Sequence, residues 1–103
     1  MASPMLSVTH REPSGHFVLV GRFDANEAAV FRGAVDGVLQ SGAVDIVLDL
    51  SEVVFIDSSG LSELVRLMKS CRAQGGDLVI DGMSNAVQVI LELTRLSSAL
   101  TIR

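Results

Sequence analysis

The chain has 103 residues, 49% of them hydrophobic, with four phenylalanines, no tyrosine or tryptophan, one cysteine and a formal net charge of −4. That is the size of one domain, residues 1–103, long enough to bury roughly 60–70% of its unfolded surface without disulfide staples. The acidic balance and the lack of stacking platforms exclude a nucleic-acid binder that works through phosphate contacts.

The first expected strand is Met5 to His10 (MLSVTH), ended by the turn cluster Pro13, Ser14 and Gly15. A second, His16 to Phe23 (HFVLVGRF), completes a hairpin with it. Asp24, Ala25, Asn26 and Glu27 then have the spacing of a capping box, in which Asp24 accepts from the N3 amide and Glu27 reaches back. Behind them Val30/Phe31, Ala34/Val35 and Val38/Leu39 recur every four residues, a helical stripe closed by Ser41 and Gly42. Val44 to Leu50 (VDIVLDL) is compact and β-branched, as in a central strand buried on both faces, and Ser51 to Ile56 reads as a short connection.

At Asp57 a second helix begins, with Leu61, Leu64, Val65, Met68 and Cys71 along one face. Ser62, Glu63, Arg66, Lys69 and Arg72 make up most of the other. Gly75 and Gly76 supply its stop, because glycine accepts the left-handed cap geometry. Asp77 to Asp81 (DLVID) is another strand, and Ser84 or Asn85 caps a third helix with Val87, Ile90 and Leu91 on one face and Leu96 beyond. Leu100 to Arg103 starts a last strand. The order β-β-α-β-α-β-α-β, a hairpin followed by strand–helix crossovers, implies an α/β fold: a mixed sheet of four to five strands packed with three or more helices.

Few residues offer chemistry. His10 and His16 flank a turn and Cys71 stands alone on an apolar stripe, so no zinc-ligand spacing is present. The glycines form neither a dinucleotide fingerprint nor a P-loop, and no nucleophile elbow occurs. The pairs Asp45/Asp49 and Asp77/Asp81 fall at strand ends and read as solvated. No enzyme, metal or cofactor is expected. The N-terminus has neither the basic nor the apolar part of a signal peptide, and no apolar run approaches the roughly 20 residues of a membrane span, so the expected location is the cytoplasm.

One segment remains, Asp57, Ser58, Ser59 and Gly60. Aspartate and serine are good helix caps, worth about 1 kcal/mol, and Gly60 lets a first turn approach a sheet closely. Position adds to this, since the segment follows the apolar strand at the sheet edge where ligands and partners meet α/β folds. A phosphate on a hydroxyl there would add about −1.5 to −2 charges beside free helix amides, with Asp57 opposing it as a like charge.

The stretch Asp45 to Leu61 (DIVLDLSEVVFIDSSGL), followed by a helix, Gly75 and Gly76 and the strand Asp77 to Asp81, resembles a STAS domain. Gly21, Arg22, Phe23 and Asp24 are similar to that family's entry into its first helix. Within the family the likeness, from about Gly21 to Leu100, is to bacterial anti-sigma factor antagonists. The resemblance implies a STAS-type fold and a partner switch. Ser58 matches the serine phosphorylated by an anti-sigma factor that is itself a serine kinase and binds the ATP. The unmodified antagonist binds that anti-sigma factor and so releases a sigma factor, and a PP2C-type phosphatase resets the modified form. On this basis Asp24, Asp57, Ser58, Ser59 and Gly60 are expected at the partner surface, with contributions from Ser62, Arg66 and Lys69 on the second helix.

Two alternatives attach to the same resemblance: a STAS subunit docking non-covalently on an ABC-type transporter, and a scaffold in a stress-signalling assembly. Relatives usually continue into a closing helix, whereas this sequence stops at Arg103. An uncovered apolar face and a free strand edge there would favour self-association, so a monomer or weak homodimer is expected. Thr94, Arg95 and Leu96 stand where many relatives have glycine before the leucine, a local loop difference.

Overall fold

Alternation and stripe translate into one sheet with one covered face. The computed structural model describes residues 6–11, 15–42 and 45–103. The strands are β1 (Ser7–Arg11), β2 (His16–Phe23), β3 (Ile46–Ile56), β4 (Leu78–Met83) and β5 (Thr101–Ile102); the helices are α1 (Ala28–Gln40), α2 (Ser58–Ala73) and α3 (Asn85–Leu93), with a 3₁₀ turn, η1 (Leu96–Ser98), before β5. The sheet order is β1-β2-β3-β4-β5. Only the β1–β2 hairpin is antiparallel, and the other three pairings are parallel. The expected mixed sheet and three helices are therefore present. Of the expected hairpin, Met5, Pro13 and Ser14 lie outside the described residues, as does Val44 ahead of β3.

The core collects residues of one parity: Phe17, Leu19 and Phe23 of β2, Ile46, Leu48 and Leu50 of β3, and Leu78 and Ile80 of β4. Against them pack Phe31 and Val35 of α1, Leu64 and Leu67 of α2, and Val87 and Leu91 of α3. Residues of the other parity, such as Val18, Val47, Asp49 and Val79, are half-buried, and Val20 is exposed. β3 is thus covered on one face rather than two. It is also longer than expected, because Ser51 to Ile56 is no link. The strand runs on to Ile56, where Val53 still pairs with Gly21 and Ile56 with Phe23, while β4 drops away after Met83. The polar Ser51 and Glu52 obscure the period because register shifts interrupt the pairing on both sides.

The capping box does not form. Helix α1 starts at Ala28 with Glu27 in the cap position and no side-chain cap bond. Asp24 Oδ1 instead accepts from the Asn26 amide (3.1 Å), and Glu27 Oε1 accepts from the Leu6 amide ahead of β1 (3.1 Å). A backbone amide 21 residues away outcompetes the local one. Val30, at the edge of the expected stripe, is exposed. Gly75 and Gly76 end α2 as foreseen: Gly75 has φ +89°, its amide donates to the Arg72 carbonyl, and the Gly76 amide donates to that of Cys71. Ser84 caps α3 through the Val87 amide, and its hydroxyl also donates to the Val53 carbonyl (2.6 Å), pinning α3 to β3.

The polar candidates with no assigned chemistry have structural partners. His10 is exposed, yet its Nε2 accepts from the Gly15 amide (3.3 Å) and its ring stacks on Phe17. Asp45 accepts from the Asp77 amide, Asp77 pairs with Arg72 (2.9 Å), and Asp49 accepts from both the amide and the hydroxyl of Ser51. Cys71 is buried, and burial pushes its thiol up to about 11. No described helix is long and apolar enough to cross a membrane.

Candidate functional site

The site is built where β3 hands the chain to α2. Pairing of Phe23 with Ile56 brings the end of β2 alongside the end of β3, and the Asp57 amide donates to the Phe23 carbonyl (3.4 Å). Asp57 is extended and caps α2, its Oδ1 accepting from the amides of Ser59 (2.9 Å) and Gly60 (3.1 Å). Its Oδ2 accepts from the Ala25 amide (3.3 Å), so one carboxylate ties the loop after β2 to the start of α2. Gly60 is required at this joint, because a Cβ there would lie 2.4 Å from the Phe23 carbonyl oxygen and 2.8 Å from Ile56 Cγ1.

Asp24 sits in the tied loop, accepting from Asn26 and paired with Arg22 (3.4 Å), whose guanidinium lies 4.2 Å over the Phe55 ring. Ser58, the first residue of α2, is exposed, and its carbonyl accepts from the Ser62 hydroxyl (2.8 Å). Asp24, Asp57, Ser58, Ser59 and Gly60 are therefore brought together, with Asp57 holding the joint, Asp24 engaged by Arg22 and Asn26 within its own loop, and Ser58 presented outward.

From Ser58 an open groove of about 530 Å³ runs along α2. Its apolar lining is Leu61 and Val65 of α2 with Leu96 of η1. Ser62, Arg66 and Lys69 complete it. Leu61 and Val65, assigned to the buried stripe from their spacing, are half-buried and line this groove, while Leu67 takes the core position.

The largest departure is Glu63. Its period places it on the polar face, but it is 3% exposed, wedged between α2 and α1. Arg32 of α1 binds both its oxygens, and Arg66 Nε donates to its Oε1 (3.0 Å). The Arg32 hydrogen bond, aided by Arg66, holds the Glu63 carboxyl below the usual range against the opposing effect of burial. Arg66 also pairs with Asp36 (3.1 Å), so this expected partner-contact residue is partly committed to the α1–α2 seam. The spacing of Glu63 and Arg66, three apart on one helix, hints at the pair, but the Arg32 partner lies 31 residues away.

The STAS_2 family model, described as "Mlab, STAS domain", matches residues 6–102. The chain is 31% identical over 85 residues to the anti-sigma-B factor antagonist of Listeria monocytogenes, covering 82% of this chain and 75% of that protein. To the protein of the same name in Bacillus subtilis it is 29% identical over 84 residues, covering 82% and 76%. Among solved structures, an anti-sigma factor antagonist from Mycobacterium paratuberculosis superposes with a TM-score of 0.76 at 24% identity, covering 97% of this chain and 85% of that one. The anti-sigma factor antagonist SpoIIAA in its unphosphorylated form gives 0.71 at 20%, covering 98% and 88%, a likeness of fold. With nearly its whole length matched by the family model, and with the capped Asp57–Gly60 joint and its sheet in place, this chain belongs to the STAS family.

Proposed function

We propose that this protein is an anti-sigma factor antagonist: a binding protein, not a catalyst, that engages an anti-sigma factor through the α2 end of the sheet and is switched off by phosphorylation of Ser58. The observation that carries the reading is the exposure of Ser58 on a helix start whose flanking aspartate is already occupied as the cap. The names of its Listeria and Bacillus relatives support the partner class, and SpoIIAA, solved in both unphosphorylated and phosphorylated forms, supports the control.

The physics agrees. A phosphate brings about −1.5 to −2 charges. The helix N-terminus favours that charge, by roughly 0.3–1 kcal/mol, while the Asp57 carboxylate opposes it, so the domain stays folded as its surface changes sign. At a desolvated interface the same charge costs several kcal/mol, and each 1.4 kcal/mol is about tenfold in affinity. In this reading the partner is a serine kinase that holds the ATP, and a PP2C-type phosphatase restores the binding form in the cytoplasm.

The test is incubation with the cognate kinase and ATP, followed by intact mass and peptide mapping. One phosphate on Ser58, absent from Ser58→Ala, is expected. No phosphate, or one that persists in Ser58→Ala, refutes the assignment. Independently, Ser58→Asp should bind the anti-sigma factor at least about tenfold more weakly with a native circular-dichroism spectrum. Equal binding by both forms would point to constitutive docking, as on a transporter or scaffold.

A further inference from the structure

We infer that the groove along α2 seats an acidic amphipathic helix of the partner, and that a phosphate on Ser58 acts by repelling that helix; the second half rests on reading Ser58 as the switch. Shape is the first argument. The groove runs from Ser58 to Lys69, twelve residues of α2 that span about 16 Å, and is open to solvent along its side. That length matches two to three helical turns.

Chemistry is the second. Leu61 and Val65 stand four apart on α2, facing Leu96 from η1. Such a strip accepts the anchors of an amphipathic helix spaced three or four residues apart. The core-facing side of α2 is filled by Leu64, Leu67 and Cys71, whereas Leu61 and Val65 pack against the core only in part and keep an open side toward the groove.

Charge selects the sign of the occupant. In a chain of net −4, the seven residues lining the groove carry two positive charges and no negative one. Glu63 and Asp36 offset Arg66, whereas Lys69 is exposed and in no ion pair among the described residues. An acidic helix meets Lys69 at one end of the groove and the Ser58 hydroxyl at the other. Phosphorylation turns that second end strongly negative, so one feature explains both attraction and release.

The experiment uses the full chain and synthetic helices with leucines on one face and either glutamates or lysines on the other, followed by fluorescence anisotropy and amide chemical-shift mapping. The leucine–glutamate helix should bind, with weakening by salt and with shifts confined to α2 and η1. Lys69→Glu should weaken it about fivefold or more, as should Ser58→Asp, and Val65→Asp should abolish it while the fold persists by circular dichroism. Equal or tighter binding of the leucine–lysine helix overturns the inference, as do shifts on the open face of the sheet or indifference to Lys69→Glu. Concentration-dependent shifts of α2 and η1 in the protein alone would assign the groove to a second copy and overturn it too. Indifference to Ser58→Asp would overturn the repulsion mechanism. Failure of the kinase to modify Ser58 would leave the peptide results untouched, so the two readings fail separately.

Discussion

Replacing Gly60 with alanine tests how α2 is seated. The added Cβ would meet the Phe23 carbonyl oxygen at 2.4 Å, Ile56 Cγ1 at 2.8 Å and Phe23 Cγ at 3.1 Å. The carbonyl cannot retreat freely, because it accepts from the Asp57 amide and belongs to β2. The first turn of α2 must lift instead, stretching the Gly60 amide from Asp57 Oδ1 and shifting Ser58. Overpacking costs about 1–3 kcal/mol, and a 2.4 Å approach to a backbone oxygen lies in the upper part of that range, about 2–3 kcal/mol, of which the better helix propensity of alanine returns about 1 kcal/mol. The net loss is therefore about 1–2 kcal/mol, a fall of roughly 0.5–1 M in the urea midpoint for a slope of about 2 kcal/mol per M.

Gly33 and Gly37, both inside α1, provide the control, since nothing lies within 4 Å of a Cβ at either. The same glycine-to-alanine change there should stabilise by about 0.5–1 kcal/mol. Urea titrations of the three variants should thus move in opposite directions. If Gly60→Ala matches the parent, or all three shift together, the close-approach argument is wrong.

Glu63→Gln should destabilise the protein by about 1–3 kcal/mol at neutral pH. Because Arg32 and Arg66 depress the folded-state carboxyl, that contribution is full above the unfolded value near 4.3 and disappears as pH falls through the lower folded value. Urea midpoints measured from pH 7 downward should therefore converge for parent and variant, and a gap independent of pH would contradict the ion-pair account. Arg95 adopts φ +62°, a left-handed geometry that costs a side-chain-bearing residue about 1 kcal/mol. Arg95→Gly should raise the melting temperature by a few degrees, and a fall would show that the arginine's contacts outweigh its strain. Cys71, fully buried with its thiol pushed up to about 11, should resist a thiol reagent at pH 8 and react once the chain is unfolded in urea. Prompt labelling of the native protein would contradict its burial.

Features that depend on near neighbours in the chain are legible before any tertiary structure. The period of α2, the double-glycine stop at Gly75 and Gly76, the bounds of β2 and the cap at Asp57 each rest on bonds or packing patterns spanning a few residues. For that reason the Asp57–Gly60 joint could be singled out from its residues, and the structure places it at a capped, exposed helix start.

Other features depend on partners distant in sequence, and only folding supplies those. Glu27 abandons the local capping box for the Leu6 amide, and Glu63 is buried because α1 brings Arg32 to it. Ser51 to Ile56 becomes strand because β2 runs beside it. Leu61 and Val65 share the apolar period of α2, yet they line an open groove because the core covers them only in part, whereas it encloses Leu64 and Leu67. Sequence by itself determined where the second helix starts and which residue caps it. The tertiary structure decided which side of that helix is left open, because burial follows from what packs against a residue and not from its place in a repeat.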